Sequence, residues 1–119
     1  MDSKKIMEIA VKAADEKRGN DIKVLNISEV SIMADYFVIV DASSQRQVDA
    51  IVQSVLDKEG ENDVEIGHVE GTRNSDWVLI DLHDVIIHVF TSEQREFYNL
   101  EKLWSDAPEV DISGLVTEE

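Results

Sequence analysis

The segment that decides the fold is Trp77-Val78-Leu79-Ile80-Asp81-Leu82-His83-Asp84-Val85-Ile86-Ile87-His88-Val89-Phe90. It reads as two strands, Trp77 to Leu82 and Asp84 to Phe90, joined by a tight turn around Leu82, His83 and Asp84. β-branched and aromatic side chains suit a pleated, half-buried surface, and a short polar break lets consecutive strands pair antiparallel. Alternation puts Val78, Ile80 and Leu82 on one face of the first strand and Trp77, Leu79 and Asp81 on the other. A looser turn from Gly71 to Asp76 precedes this hairpin.

Towards the N-terminus, Tyr36 to Val40 lacks polar alternation, as a strand buried on both faces requires. Ile22 to Ile27 is a strand before it, and the residues between, Ser28 to Asp35, are too few for a parallel crossover, so this pair is antiparallel. A further strand near Val64 to Val69 follows a helix-length connection, which predicts parallel, right-handed pairing with Tyr36 to Val40. The expected architecture is therefore an α/β (α+β) domain whose five-stranded mixed sheet is flanked by three main helices.

The first helix is expected over about Ser3 to Lys17, from the spacing of Ile6, Ile9, Ala10 and Ala13, with Gly19 as its C-terminal stop. Ser44 and Gln47 form a capping box for a second helix, whose stripe of Val48, Ile51, Val52, Val55 and Leu56 ends before Gly60. Thr91 and Gln94 repeat the capping pattern for a third, which should pack through Phe97, Leu100, Leu103 and Trp104. Tyr98 falls off that stripe beside Glu101 and Lys102, so it should be exposed. Beyond Trp104, the stretch Ser105 to Glu119 has the only proline and no apolar periodicity. The organisation read from this is one domain over residues 1–104 and an acidic, frayed tail over 105–119.

Composition narrows the function. The 26 acidic residues against 11 basic ones give a formal charge of -15, which repels phosphate backbones; it serves solubility alone or fits a basic protein partner, and composition does not separate the two. The chain has no cysteine, hence no disulfide, thiolate nucleophile or zinc-thiolate site. The N-terminal stretch carries Asp2, Glu8, Asp15 and Glu16 and lacks a signal or transit pattern. No apolar run approaches the ~20 residues of a membrane span. The expectation is a cytoplasmic protein.

For chemistry, the best acid–base or metal candidates are Asp81, His83, Asp84 and His88. Along a strand, however, His88 lies some ~13 Å from Asp84, too far for one small ion. A nucleotide site would need a glycine-rich loop before the second helix, where Asp41, Ala42, Ser43 and Ser44 stand instead. Those serines read as helix caps rather than nucleophiles. Neither a cofactor nor a metal is expected. What remains are Trp77, opening its strand and half covered, and Tyr98, residue types that carry binding energy at interfaces; Tyr98 reads as an interface residue, and Trp77 as either core or interface.

Glu70-Gly71, Asp76 to Asp81, Asp84 to Phe90 and the run Arg95-Glu96-Phe97-Tyr98-Asn99-Leu100-Glu101-Lys102-Leu103-Trp104 resemble the signature of the ribosomal silencing factor (Iojap-like) family, as do Asp35 to Val40 and Ser43 to Gln47. The likeness runs from about Ile6 to Trp104. It implies a fold related to nucleotidyltransferases and a non-enzymatic activity: binding ribosomal protein fourteen of the large subunit and hindering its joining with the small subunit. Trp77, Leu82 and Tyr98, with Asp81, His83, Asp84, Glu101 and Lys102 beside them, are the contact residues it implies. One departure is His83, where the family commonly has glycine. The alternatives are a catalytic or vestigial nucleotidyltransferase-like or metal-dependent enzyme, and a dimeric scaffold for another basic protein. A homodimer of the free protein is compatible with all three readings.

Overall fold

The computed structural model describes residues 2–71 and 76–116. In chain order its elements are α1 (Ser3–Glu16), β1 (Asn20–Asn26), β2 (Tyr36–Ala42), α2 (Gln45–Glu61), β3 (His68–Glu70), β4 (Trp77–Asp81), β5 (Val85–Thr91), α3 (Ser92–Tyr98) and α4 (Leu100–Leu103). The strands form one five-stranded sheet in the order β1-β2-β5-β4-β3. β1 and β2 pair antiparallel, as do β4 and β5, and β2 runs parallel to β5, so the sheet is mixed as the sequence implied.

The parallel partner of β2 is β5, not the strand after α2. Burial explains the choice. β5 is apolar enough to be covered on both faces and takes the centre, whereas β3 is a short exposed strand, His68, Val69 and Glu70, that pairs antiparallel with β4 at the edge. Placing β3 against β2 would force a histidine and a glutamate under the helices.

α1 and α2 cover one face, over Val38, Val40, Val78, Ile80, Leu82, Val85, Ile87 and Val89. The other face buries Leu25, Ile27, Phe37, Ile39, Ile86 and Phe90 under Leu100, Trp104 and Ala107. Among the described residues no helix is long and apolar enough to cross a membrane. The looser turn read between Gly71 and Asp76 involves residues 72–75, which lie outside the described ones.

Helix ends depart from the expected punctuation. After α1 it is Arg18, not Gly19, that adopts the left-handed conformation (φ 60), while the Gly19 N–H donates to the Ala14 carbonyl, closing a Schellman motif. Gly19 is needed for space: a Cβ there would meet Val40 Cγ2 at 2.5 Å. α2 runs through Gly60 to Glu61 and ends in the same way, with Asp63 left-handed (φ 61) and the Val64 N–H bonded to the Glu59 carbonyl. At its start the Ser44 cap forms, its hydroxyl accepting from the Gln47 N–H at 3.1 Å, but Gln47 Oε1 reaches the N–H of Ser43 rather than of Ser44.

The third helix breaks. Thr91 makes no side-chain cap, and Asn99, left-handed at φ 47, separates α3 from α4. The break rotates the second piece relative to the first, so the expected stripe is split: Leu100 and Trp104 pack on the sheet while Phe97 and Leu103 are 79% and 74% exposed. The buried residue of α3 is instead Arg95.

The segment after Trp104 is not frayed over its described part. The Asn26 N–H donates to the Pro108 carbonyl at 2.9 Å, the Val110 N–H to the Val24 carbonyl at 2.8 Å, and Glu109 bridges Leu25 antiparallel. Ala107 packs on one side of the β1 edge and Val110, Ile112, Leu115 and Val116 on the other, so the chain wraps that edge. Such a strap shows no periodicity because its contacts switch faces along its length. Truncation after Trp104 is therefore expected to lower the unfolding free energy by roughly 2–4 kcal/mol, the scale of uncovering several half-buried aliphatic groups. Unchanged urea unfolding of the truncated chain would contradict this.

Glu59, on the last turns of α2, is fully buried and neither carboxyl oxygen has a hydrogen-bond partner. Burial pushes its carboxyl from the ordinary 4.5 up to about 8. The folded protein thus holds a proton that the unfolded chain releases, so stability is full below about 4.5 and is lost as pH rises towards about 8. Glu59→Gln should remove this slope, raising the urea midpoint most at the alkaline end of a series from pH 5 to 8. Parallel pH profiles for parent and variant would refute the assignment.

Candidate partner-binding surface

The chain leaves the parallel strands β2 and β5 in opposite directions, to α2 on one face and α3 on the other. In open α/β sheets the crevice at such a point commonly receives ligands. Here the protein's own charged side chains bridge it and line an open pocket of about 410 Å³ among Lys23, Asp41, Ser92, Arg95 and Glu101. Asp41, 9% exposed at the end of β2, faces the Ser92 hydroxyl at 3.0 Å and accepts from Arg95 Nη1 at 3.1 Å. Nη1 also donates to the carbonyls of Asn20 and Asp21, turned inward where the β1 register shifts and Asp21 takes φ 47. Nε and Nη2 of Arg95 both hold Glu101 Oε1. Burial alone would raise the Glu101 carboxyl, but hydrogen bonds and charge from Arg95 hold it below the usual range.

Sequence reasoning missed this clamp, although a lone carboxylate ending the apolar strand Tyr36 to Val40 was a signal that a cation had to be near. It also placed Glu101 as a free rim charge, and the structure ties it to Arg95 instead. Arg95→Ala should cost about 3–5 kcal/mol of stability, chiefly by leaving Asp41 buried beside no cation, with half-buried Glu101 losing its partner as well, read as a fall in the urea unfolding midpoint. Arg95→Lys should recover only part of this, because an ammonium cannot fork between Asp41 and Glu101. A lysine variant as stable as the parent would overturn that account.

Next to the clamp lies an aromatic surface. Trp77 stacks on Phe90 at a centroid distance of 5.1 Å and touches Tyr98 at 4.8 Å, and Phe97 meets Tyr98 edge-on at 5.2 Å. The structure thus brings Trp77 and Tyr98 together, with Tyr98 45% exposed and Trp77 half-buried. Phe97, expected in the core, is exposed beside them, and Leu103, also expected in the core, and Lys102 are exposed on the helix that follows. Helices do not cover β4 on this face, so Trp77, Leu79 and Asp81 stay half open. A groove of about 230 Å³ runs there between Glu70, Gly71, Trp77 and Leu79. Gly71 permits it, having φ +104 and no room for a Cβ, which would lie 2.8 Å from the Trp77 carbonyl.

The hairpin tip is at the other end of β4, some ~13 Å from Trp77 to Asp81 at strand rise. His83 sits at φ 72 with its N–H donated to Asp81 Oδ1 at 2.8 Å, so histidine adopts the turn that glycine would. His83 and Asp84 are exposed, whereas Leu82, expected as a contact, is 2% exposed in the helix-side core because even-numbered β4 residues face α1 and α2. His68 approaches Asp81 and Glu70 at the sheet edge, 3.7 and 3.2 Å away. Asp81, His83, Asp84 and His88 do not converge, and no group of three or more metal-ligating side chains gathers among the described residues. His88 is buried on the aromatic face, where desolvation lowers it to about 4 and keeps it neutral. Its Nδ1 accepts from Trp77 Nε1 at 3.3 Å.

Comparison with known proteins agrees with this architecture. A family model described as "Ribosomal silencing factor during starvation" matches residues 1–119. The ribosomal silencing factor of Bacillus subtilis is 45% identical over 112 residues, 94% of this chain and 95% of that protein. A more distant mouse protein, named for mitochondrial assembly of the ribosomal large subunit, is 29% identical over 103 residues, 83% of this chain and 45% of its own length. A crystal structure from Chromobacterium violaceum superposes with a TM-score of 0.86 at 33% identity, covering 88% of each chain. With the family model spanning residues 1–119 and a relative 45% identical over 94% of the chain, the chain belongs to the ribosomal silencing factor family.

Proposed function

We propose that this protein binds the large ribosomal subunit in the cytoplasm, at ribosomal protein fourteen, and keeps the small subunit away by occupying part of the joining face, with no covalent step of its own. The observation that carries the proposal is an exposed aromatic surface, Tyr98 in ring contact with both Trp77 and Phe97 beside an open strand face, on a chain of net charge -15. Exposed aromatics of this kind supply the centre of protein interfaces. The charge disfavours ribosomal RNA and favours a basic protein surrounded by it. The name of the mouse relative points to the same subunit. A body of 119 residues needs only to sit on the joining face to obstruct it.

Within this surface Trp77, Tyr98 and Phe97 form the apolar centre. Lys102 at one end, and Asp81, His83 and Asp84 at the other, form its polar rim. Leu82 drops out because it faces the core, and Glu101 contributes through Arg95 rather than as a free charge. Rim charges steer encounter more than they hold a complex.

Co-sedimentation with isolated large subunits tests the proposal. Tyr98→Ala should weaken binding by ~1–3 kcal/mol and restore subunit joining, with little loss of stability because the ring is partly in water. A folded Tyr98→Ala protein that binds and blocks as well as the parent would show that another surface is used. Trp77→Ala also removes the stack on Phe90, so its binding loss must be read against its own unfolding midpoint.

A further inference from the structure

His88 has a feature that packing does not account for. It is 5% exposed at the centre of the sheet, with Phe37 edge-on at 5.0 Å and Phe90 nearly coplanar at 6.1 Å. In these apolar surroundings Nε2 has no hydrogen-bond partner among the described residues. The one hydrogen bond of the ring is at Nδ1, which accepts from Trp77 Nε1 at 3.3 Å. An accepting Nδ1 carries no proton, so the proton of the neutral ring is on Nε2, the atom with no partner.

A buried N–H with no acceptor is destabilising, and phenylalanine or leucine at this position would avoid it while filling much the same volume. Histidine supplies one thing that those residues lack: an acceptor for the Trp77 indole. Stacking on Phe90 and a tilted contact with Tyr98 restrict the plane of that indole but leave it free to slide and flip. The bond to Nδ1 selects which edge turns inward and which turns towards the groove between Glu70 and Leu79.

We propose that His88 is a positioning residue for the partner-binding surface, its Nδ1 holding the Trp77 indole in a single orientation so that the surface is formed before a partner arrives. The proposal rests on the reading of the Trp77–Tyr98 surface given above. Its physical content is preorganisation: a side chain already ordered in the free protein loses less freedom on binding. The unsatisfied Nε2 is then a sacrifice of stability at a functional position.

The test uses the full chain carrying His88→Phe. Its urea midpoint should equal or exceed that of the parent, while its affinity for isolated large subunits falls about five-fold, the equivalent of one neutral hydrogen bond. The indole N–H resonance of Trp77 should move and broaden, with a far smaller change at Trp104, the other tryptophan. In a Trp77→Ala background, His88→Phe should have no further effect on binding. His88→Leu provides the same contrast if the phenylalanine is overpacked. In the unmodified protein, nitrogen NMR should find the His88 proton on Nε2.

A lower midpoint that parallels the lost affinity would show that His88 acts only as core and would overturn the proposal. So would a proton on Nδ1, or parent-like affinity of folded His88→Phe while Trp77→Ala is weakened; in that last case the surface itself would stand. Parent-like affinity of Trp77→Ala would instead remove the surface reading and this proposal with it.

Discussion

A carboxylate at the end of a strand covered on both faces cannot stay charged without a cation, and in this protein the cation comes from fifty-four residues further along the chain. Asp41 receives Arg95, and the same guanidinium binds the turned-in carbonyls of β1 and the carboxylate of Glu101. One planar fork therefore ties β1, β2, α3 and α4 together at the end of the sheet where the parallel strands diverge. The ligand crevice of an open sheet lies at that point, and here it serves as a structural joint. Tyr98 stands three residues after Arg95, and the left-handed Asn99 immediately follows, so the clamp also sets where the aromatic surface faces.

That surface exists because coverage of the second sheet face is incomplete. Leu100, Trp104 and Ala107 close it over β1, β2 and β5, and the strap after Trp104 wraps the β1 edge, but β4 keeps one side half open. Trp77 lies at the boundary, part core through Phe90 and part surface through Tyr98. His88 beneath it and Glu59 under the helices are both buried with polar atoms left unsatisfied. They differ in consequence: His88 touches a residue of the exposed face, whereas Glu59 lies on the helix side of the sheet, away from that face.

The hairpin, the two long helices and the antiparallel β1–β2 pair were legible because each follows from local rules: alternation, a capping serine, a connection too short to cross over. The aromatic pair was legible for a similar reason, since Tyr98 lies off any apolar stripe and Trp77 opens its strand. The same reasoning failed where a contact depends on two distant segments. Alternation set Leu82 with Val78 and Ile80, opposite Trp77, but not which of the two faces lies under α1 and α2, and nothing near Glu101 shows that Arg95 reaches it. Phe97 and Leu103 fit a helical stripe until Asn99 breaks the helix.

The sequence by itself thus determined the family, the mixed sheet, the acidic character and the absence of a glycine-rich phosphate loop, because periodicity, composition and motif are properties of neighbouring residues. The tertiary structure alone decided that β5 rather than β3 lies beside β2, that Arg95 bridges the crevice, that the strap covers an edge, and that His88 and Tyr98 both meet Trp77. Each of those outcomes turns on which groups can be buried together without an unpaired charge or an unsatisfied bond. That competition is among all segments of the chain at once, and no local window contains it.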